Sequence, residues 1–389
     1  MTFKILSLDG GGIRGVLSAR ILKEVEKTLK EQTNQSLHDY FDLIAGTSTG
    51  SILAAGIACG MTANQLINIY QEEGHNIFLK SVRQQRKWRF LGKLLGNRVL
   101  YPHKKGMNGL SQVLKRHLIH PASGKCPTIG TIKHPNLLIL AYDVLSRNTT
   151  WFSNDPANEN SWYSNLGLWQ ICSASASAPT YFPPYELPYY GQDNQKLPHI
   201  DGGVSANAPE LVAIAHALLI SQRDPNNQLS MNDISVLSIG TGRTTRPYTY
   251  DEIKKWGQLD WVMNLPSIFM DPSSEISTAI SRQIMESIDG KRYLRLNFDL
   301  NNRKDSQSQE IDRRKRLDKP YNQYIAQKTL KKIELSEEID DPNICDELIE
   351  AASCYLHYGD VSYNHETVSV RPSIQKIIES NSCSVSGEK

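Results

Sequence analysis

FDLIAGTSTGSILAAG, residues 41–56, joins two apolar runs of different character through five small residues. Ahead of the junction, Leu43-Ile44-Ala45 is short and continuously apolar, the pattern of a strand covered on both faces. Behind it, Ser51 to Gly56 is small and apolar all round, as in a helix packed on every side. Between them lies Gly46-Thr47-Ser48-Thr49-Gly50, a G-x-S-x-G pattern. A serine at such a strand-to-helix turn has its hydroxyl exposed at a helix N-terminus, where the dipole favours developing negative charge. Gly46 and Gly50 relieve the crowding of that strained turn. The pattern is common by chance; its place at a strand–helix junction makes Ser48 a candidate nucleophile.

Working outward, KILSLDGGGIRGVLSARIL (4–22) repeats the arrangement. FKILSL reads as a buried strand, and RGVLSARILKEVEKTLKEQ sets Val16, Ile21, Leu22, Val25 and Leu29 on one helical face. Bare backbone at Gly10, Gly11 and Gly12 suits a nucleotide phosphate, a transient oxyanion or a tight turn. GGGIRG formally matches the dinucleotide fingerprint G-x-G-x-x-G, which needs an acidic residue ending a second strand about 20 residues on. That region here, KEVEKTLKEQ, is still helical with its glutamates on the polar face. No G-x-x-x-x-G-K-[ST] occurs, which excludes a P-loop. With Ser48 nearby, backbone amides for an acyl-transfer oxyanion are the better reading, because glycines expose N–H donors without a Cβ in the way.

A base is sought in LPHIDGGVSANAPELVAIAHAL (197–218), where Asp201 ends an apolar approach and is followed by Gly202, Gly203 and a helix. A plain Asp-Gly turn is the bland account; acceptance of the Ser48 proton is the other. NLLILAYDV (136–144) and DISVLSIGTG (233–242) are further strand-length apolar runs. Together these predict an α/β fold of three layers, a mostly parallel central sheet with helices on both faces. The expected division is a catalytic core over 1–243, a helical C-terminal extension over 244–365 packed on the same domain, and a partly disordered tail over 366–389.

The three motifs in this order resemble the patatin-like phospholipase family of lipid acyl hydrolases. DGGGIRG (9–15) is similar to its oxyanion loop, GTSTG (46–50) to its nucleophile elbow and DGG (201–203) to its catalytic aspartate motif. SASASAPTYFPP (173–184) and VLSIGTG (236–242) extend the similarity, which is good to about 243 and weak beyond about 300. The resemblance implies a Ser48–Asp201 dyad without a catalytic histidine, donors at Gly10, Gly11 and Gly12, and motif support from Arg14 and Gly15. It implies fatty-acyl esters of phospholipids, galactolipids or neutral glycerides as substrates, and an acyl-enzyme on Ser48. His216, His357 and His365 suit the chain order of a Ser-Asp-His triad, but none stands in a distinctive setting. Relatives often read Asn-Asn-Pro after the aspartate turn; this chain has Asn207-Ala208-Pro209, which puts hydrogen bonding around that loop in question.

The balance of charge agrees with such a protein. With 43 basic and 41 acidic residues the net charge is +2, no signature of nucleic-acid binding. The six cysteines lack CxxC spacing and are expected to be reduced thiols, and no cofactor or metal is expected. MTFKILSLDGG is read as the first strand, not a signal peptide, and SILAAGIACGM (51–61) is far short of the ~20 residues that cross a bilayer. The expected setting is cytoplasmic, peripheral at membranes. Residues 80–105 carry nine Lys/Arg and no acid, interleaved with Trp88, Phe90, Leu91, Leu94 and Leu95. They suit attraction to anionic headgroups, a solvated helix packed on the core, or a lid. Two other classes stay open: a nucleotide-binding α/β protein, and a silent or signal-activated lipid-binding effector served by a small-molecule or protein activator. Oligomeric state is open.

Overall fold

The computed structural model describes residues 2–91, 100–121, 123–189, 195–223, 228–243, 249–300 and 338–383. The strands are β1 (Phe3–Leu8), β2 (Leu43–Thr47), β3 (Asn136–Asp143), β4 (Asn148–Ser153), β5 (Tyr185–Pro188), β6 (Lys196–Asp201), β7 (Ile234–Ile239), β8 (Tyr293–Leu296), β9 (Asp360–Tyr363) and β10 (Glu366–Ser369). The α-helices are α1 (Gly15–Gln32), α2 (Leu37–Tyr40), α3 (Thr49–Ala58), α4 (Ala63–Ile77), α5 (Lys80–Leu91), α6 (Leu110–His117), α7 (Leu168–Ser175), α8 (Gly203–Ala206), α9 (Glu210–Gln222), α10 (Tyr250–Ile253), α11 (Gln258–Asp289), α12 (Cys345–Tyr358) and α13 (Val370–Cys383).

The central sheet runs β5-β6-β3-β2-β1-β7-β8, with β4 also paired to β3. Its middle is parallel, β3/β2, β2/β1, β1/β7 and β7/β8. Its β5, β6 and β4 pairings are antiparallel. The continuous apolar runs make physical sense in this setting: Ile5 faces one layer and Leu6 and Leu8 the other, all fully buried. On one face α1, α3, α4, α7, α12 and α13 build the larger cluster, into which Val16, Ile21, Leu22, Val25 and Leu29 of α1 all point. On the other, Ala213, Ile214 and Ala217 of α9 and Met285 of α11 cover Ile5, Leu43, Leu138 and Val236. Each such fully buried large aliphatic contributes about 1.5–3 kcal/mol over an exposed one. The mostly parallel, three-layer α/β architecture is therefore present.

Several elements differ from the sequence-based expectation. LHDYFDLIAG (37–46) reads in its sequence as the second strand, but Leu37–Tyr40 is a helical turn whose Asp39 amide is capped by the Ser36 hydroxyl at 3.1 Å. The boundary expected at 243 does not interrupt the sheet, because β8 pairs with β7 in register from Val236↔Tyr293 to Ile239↔Leu296. The extension is not wholly helical, since β9 and β10 form an antiparallel hairpin. The tail continues past 366 as β10 and α13, and Arg371 of α13 pairs with Glu24 of α1 at 3.1 Å. Glu24, assigned to a polar face, is buried for that reason. Residues 303–340 are densely charged with both signs and read as helix from about Asn322, a stretch that up to 337 falls outside the described residues.

Candidate active site

Ser48 is the first residue after β2 and the N-cap of α3, with φ 55° and ψ −123°. That left-handed backbone on a non-glycine residue is strained, costing about 1–3 kcal/mol, and holds the side chain clear of both elements. The turn survives because its neighbours are glycines. A Cβ on Gly46 would stand 2.3 Å from the Gly50 carbonyl oxygen, and one on Gly50 would stand 2.1 Å from that of Leu8. The Ser48 amide donates to Ser175 Oγ at 2.9 Å, and Ser175 donates to the Leu140 carbonyl at 2.6 Å, so α7 and β3 brace the turn.

Sheet topology brings Asp201 to Ser48 across 153 positions of chain. β4 occupies one edge of β3. The other edge is shared: β2 pairs with its first part, ending at Thr47↔Leu140, and β6 pairs with the next residues, starting from Asp201↔Ala141. The two strands meet nearly end to end, so the residue after Thr47 and the last residue of β6 lie side by side. Asp201 is 2% exposed, and its Oδ1 accepts from the Gly203 amide at 2.7 Å. Gly202 lies so close to β3 that a Cβ would meet the Leu140 carbonyl at 2.2 Å. Burial raises the Asp201 pKa from its usual 3.8 to about 6, opposed in part by hydrogen bonding from Ser48 and Gly203. The hydroxyl is thus within reach of the carboxylate, yet no well-aligned hydrogen bond ends on Oδ2.

The glycine loop forms the third wall. The Gly10 amide donates to the Asn207 carbonyl at 3.0 Å and the Gly10 carbonyl accepts from Thr241 Oγ1 at 2.8 Å. Gly10 is therefore not a spare donor, which corrects the expectation of three. Among the described residues no hydrogen bond takes the amides of Gly11 or Gly12. A Cβ on Gly11 would meet Thr241 Oγ1 at 2.2 Å, and Gly12 has φ 60° with the Ile339 carbonyl 2.3 Å from its would-be Cβ. The Arg14 amide donates to the Gly11 carbonyl at 3.2 Å; burial raises the pKa of the Tyr181 hydroxyl, and the nearby Arg14 guanidinium opposes that rise slightly. Gly15 lets α1 cross the nucleophile turn, with Thr49 Oγ1 at 2.3 Å from a would-be Cβ.

Asn207 answers the question raised by Asn-Ala-Pro. Its carbonyl holds Gly10, and its Nδ2 donates to Ser274 Oγ of α11 at 3.1 Å; the Ala208 carbonyl accepts from Ser277 Oγ at 2.9 Å. Contacts from α11 thus stand beside a single asparagine. The three histidines that suit a triad order lie elsewhere. His216 Nε2 pairs with Ser153 Oγ at 2.9 Å, His357 with Arg371 and His365 with Glu286. Among the described residues no histidine hydrogen-bonds Ser48 or Asp201. Ser175, Thr241 and the Asn207 backbone were missed as site residues, because single polar groups at a helix end or in a loop carry no periodic signal.

The basic segment is partly spent inward. Arg83 of α5 pairs with Asp341, and Arg86 lies 3.6 Å from Asp340, donates to the Thr180 carbonyl and stacks 4.4 Å from the Tyr181 ring centroid. The side chains of Trp88, Phe90 and Leu91, and all of Leu94 and Leu95, lie outside the described residues. No described helix is long and apolar enough to cross a membrane, and no described cluster of His, Cys, Asp and Glu could hold a metal.

The strand–serine turn–helix, the buried carboxylate that meets it end to end and the glycine loop are thus brought together at one place in the fold. The chain belongs to the patatin-like phospholipase family, which matches residues 6–214, and with it to the lipid hydrolases. Patatin-1-Kuras 2 of Solanum tuberosum is 28% identical over 316 residues, covering 75% of this chain and 77% of its own. Patatin-17 of Solanum cardiophyllum is 29% identical over 316 residues, 75% of each. Among solved structures, human GIVD cytosolic phospholipase A2 in complex with methyl gamma-linolenyl fluorophosphonate aligns at TM-score 0.38 and 11% identity, over 98% of this chain and 60% of that one. That likeness is too distant to bear on site or activity.

Proposed function

We propose that the protein cleaves fatty-acyl esters of membrane glycerolipids through a Ser48 acyl-enzyme, with Asp201 as the base. The observation that carries this is the end-to-end meeting of β2 and β6 on one edge of β3, which supports a Ser48 hydroxyl within hydrogen-bonding reach of the buried Asp201 carboxylate. Ser48 Oγ attacks the ester carbonyl carbon as its proton passes to Oδ2. The oxyanion forms against the Gly11 and Gly12 amides, and collapse expels the lysolipid alkoxide, which takes the proton back from Asp201. Water then attacks the acyl-Ser48 ester, its proton again going to Oδ2, and the fatty acid leaves as Ser48 regains a proton. An ordinary carboxylate is a weak base toward serine; the rise to about 6 brings Asp201 closer to working pH.

The test is fatty-acid release from mixed phospholipid and galactolipid vesicles and from a soluble acyl ester. Ser48→Ala and Asp201→Asn are expected to lose at least about 10³-fold on both substrates, whereas His216→Ala retains activity. Vesicle products identify the lipid class. An equally dead, folded His216→Ala would overturn the dyad. A wild type silent on both substrates would instead favour an effector awaiting an activator.

A further inference from the structure

The glycine loop is tied to a residue far outside the family's matched segment. Asp9, immediately before Gly10, is 3% exposed, and Arg295 of β8 is 6% exposed. Arg295 Nη1 donates to Asp9 Oδ1 at 2.8 Å and Nη2 donates to Asp9 Oδ2, a two-pronged pair across 286 positions. Arg295 Nη1 also donates to Ser238 Oγ of β7 at 2.7 Å. The field of Arg295 reaches further, to Glu210 in the first turn of α9, whose Oε2 accepts from the Tyr293 hydroxyl at 3.2 Å. Glu210 is fully buried, so Arg295 acts on two buried carboxylates. One leads into the glycine loop and the other follows the Asp201 turn by nine positions.

A buried ion pair is a poor stabiliser, since desolvation offsets the attraction, but its planar fork fixes orientation. The fork sets the Asp9 side chain, the Asp9 amide is held by the Ile239 carbonyl at 3.1 Å, and Gly10 is held through both its amide and its carbonyl. Only after these restraints do the unclaimed amides of Gly11 and Gly12 begin. We infer that Arg295 is a positioning residue for the oxyanion loop, acting through its two-pronged bond to Asp9 to aim the Gly11 and Gly12 amides at the developing oxyanion. The inference rests on the acyl-hydrolase reading of the same site.

Arg295→Lys keeps the charge and removes the fork; Asp9→Asn keeps the shape and weakens the acceptor. Both are assayed on the soluble ester after titration of reactive Ser48 with an activated phosphonate, so that turnover is counted per competent site. Both are expected to lower kcat about 10- to 100-fold with KM within about threefold, a loosened donor costing less than a deleted one. The Ki of a boronic acid that forms a tetrahedral adduct on Ser48 should rise by the same factor as kcat/KM falls. A purely structural role would lower the titrated fraction and the melting temperature while leaving kcat per site and Ki within twofold, and that result overturns the inference. If Arg295→Lys does not fold, Asp9→Asn decides by the same readouts. Failure of the acyl-hydrolase reading is seen separately, as wild-type turnover that persists in Ser48→Ala or never appears, and it removes the inference as well.

Discussion

At the scale of the residue, the site depends on a carboxylate kept in an environment that disfavours its charge. In the proposed mechanism Asp201 must be ionised to accept the Ser48 proton, so kcat/KM is expected to rise with pH through about 6 and level off above it. The same burial carries a stability cost with a definite sign. A carboxyl whose folded pKa lies above its unfolded value of about 3.8 binds protons more tightly in the native state, so its stabilisation is complete below pH 4 and is lost as pH rises through 6. Asp201→Asn should therefore unfold at the same temperature as wild type near pH 4 and become more stable by about 1–3 kcal/mol at pH 8. Thermal melts across that range check the prediction; a constant difference at all pH values would sink it. Gly12→Ala tests the other wall. Its φ of 60° and the Ile339 carbonyl beside it leave no room for a methyl group, so a loss of about 1–3 kcal/mol is expected, together with lower kcat.

At the scale of the element, α5 is a clasp more than a free basic surface. Arg83 and Arg86 hold Asp341 and Asp340, Asp340 accepts from the Tyr101 hydroxyl at 2.8 Å, and the adjacent Ile339 carbonyl accepts from the Ile13 amide at 2.8 Å. If residues 80–105 are an interfacial anchor, one of the three readings their sequence allows, charge reversal at Arg86, Lys87 and Arg89 weakens vesicle binding but spares a soluble ester. For Arg86 the structure leads to a different expectation. Arg86→Glu sets like charge beside Asp340, loosens the 338–341 segment against the glycine loop, and should cost about 1–3 kcal/mol while lowering hydrolysis of vesicles and soluble ester together. Loss on vesicles alone would restore the headgroup reading. The run of nine positive residues was plain in the sequence. Its partners were not, because Asp340 and Asp341 lie some 250 positions away in a segment with no motif.

At the scale of the whole molecule, the C-terminal part completes the fold it was expected only to decorate. β8 closes the sheet edge beside β7, while α12 and α13 lie on α1, where Leu348, Ala352, Ile374 and Ile377 are buried. Truncation after residue 337 would bare that face of α1 and remove the Ile339 contact. It should yield a protein that aggregates or loses its sharp melt, as read by gel filtration and calorimetry. What the sequence determined by itself is local: the apolar runs that become β1, β2, β3 and β7, the amphipathic face of α1, and the two glycine-flanked turns that carry Ser48 and Asp201. These follow from hydrophobic period and backbone sterics within a dozen residues. Only the tertiary structure decided which partners those turns meet. That β6 abuts β2 on one edge of β3, that Asn207 claims the Gly10 amide, and that Arg295 grips Asp9 are consequences of strand order and register. Pairing energies between strands far apart in the chain leave no periodic trace in either strand alone, so the site became visible only when the sheet was assembled.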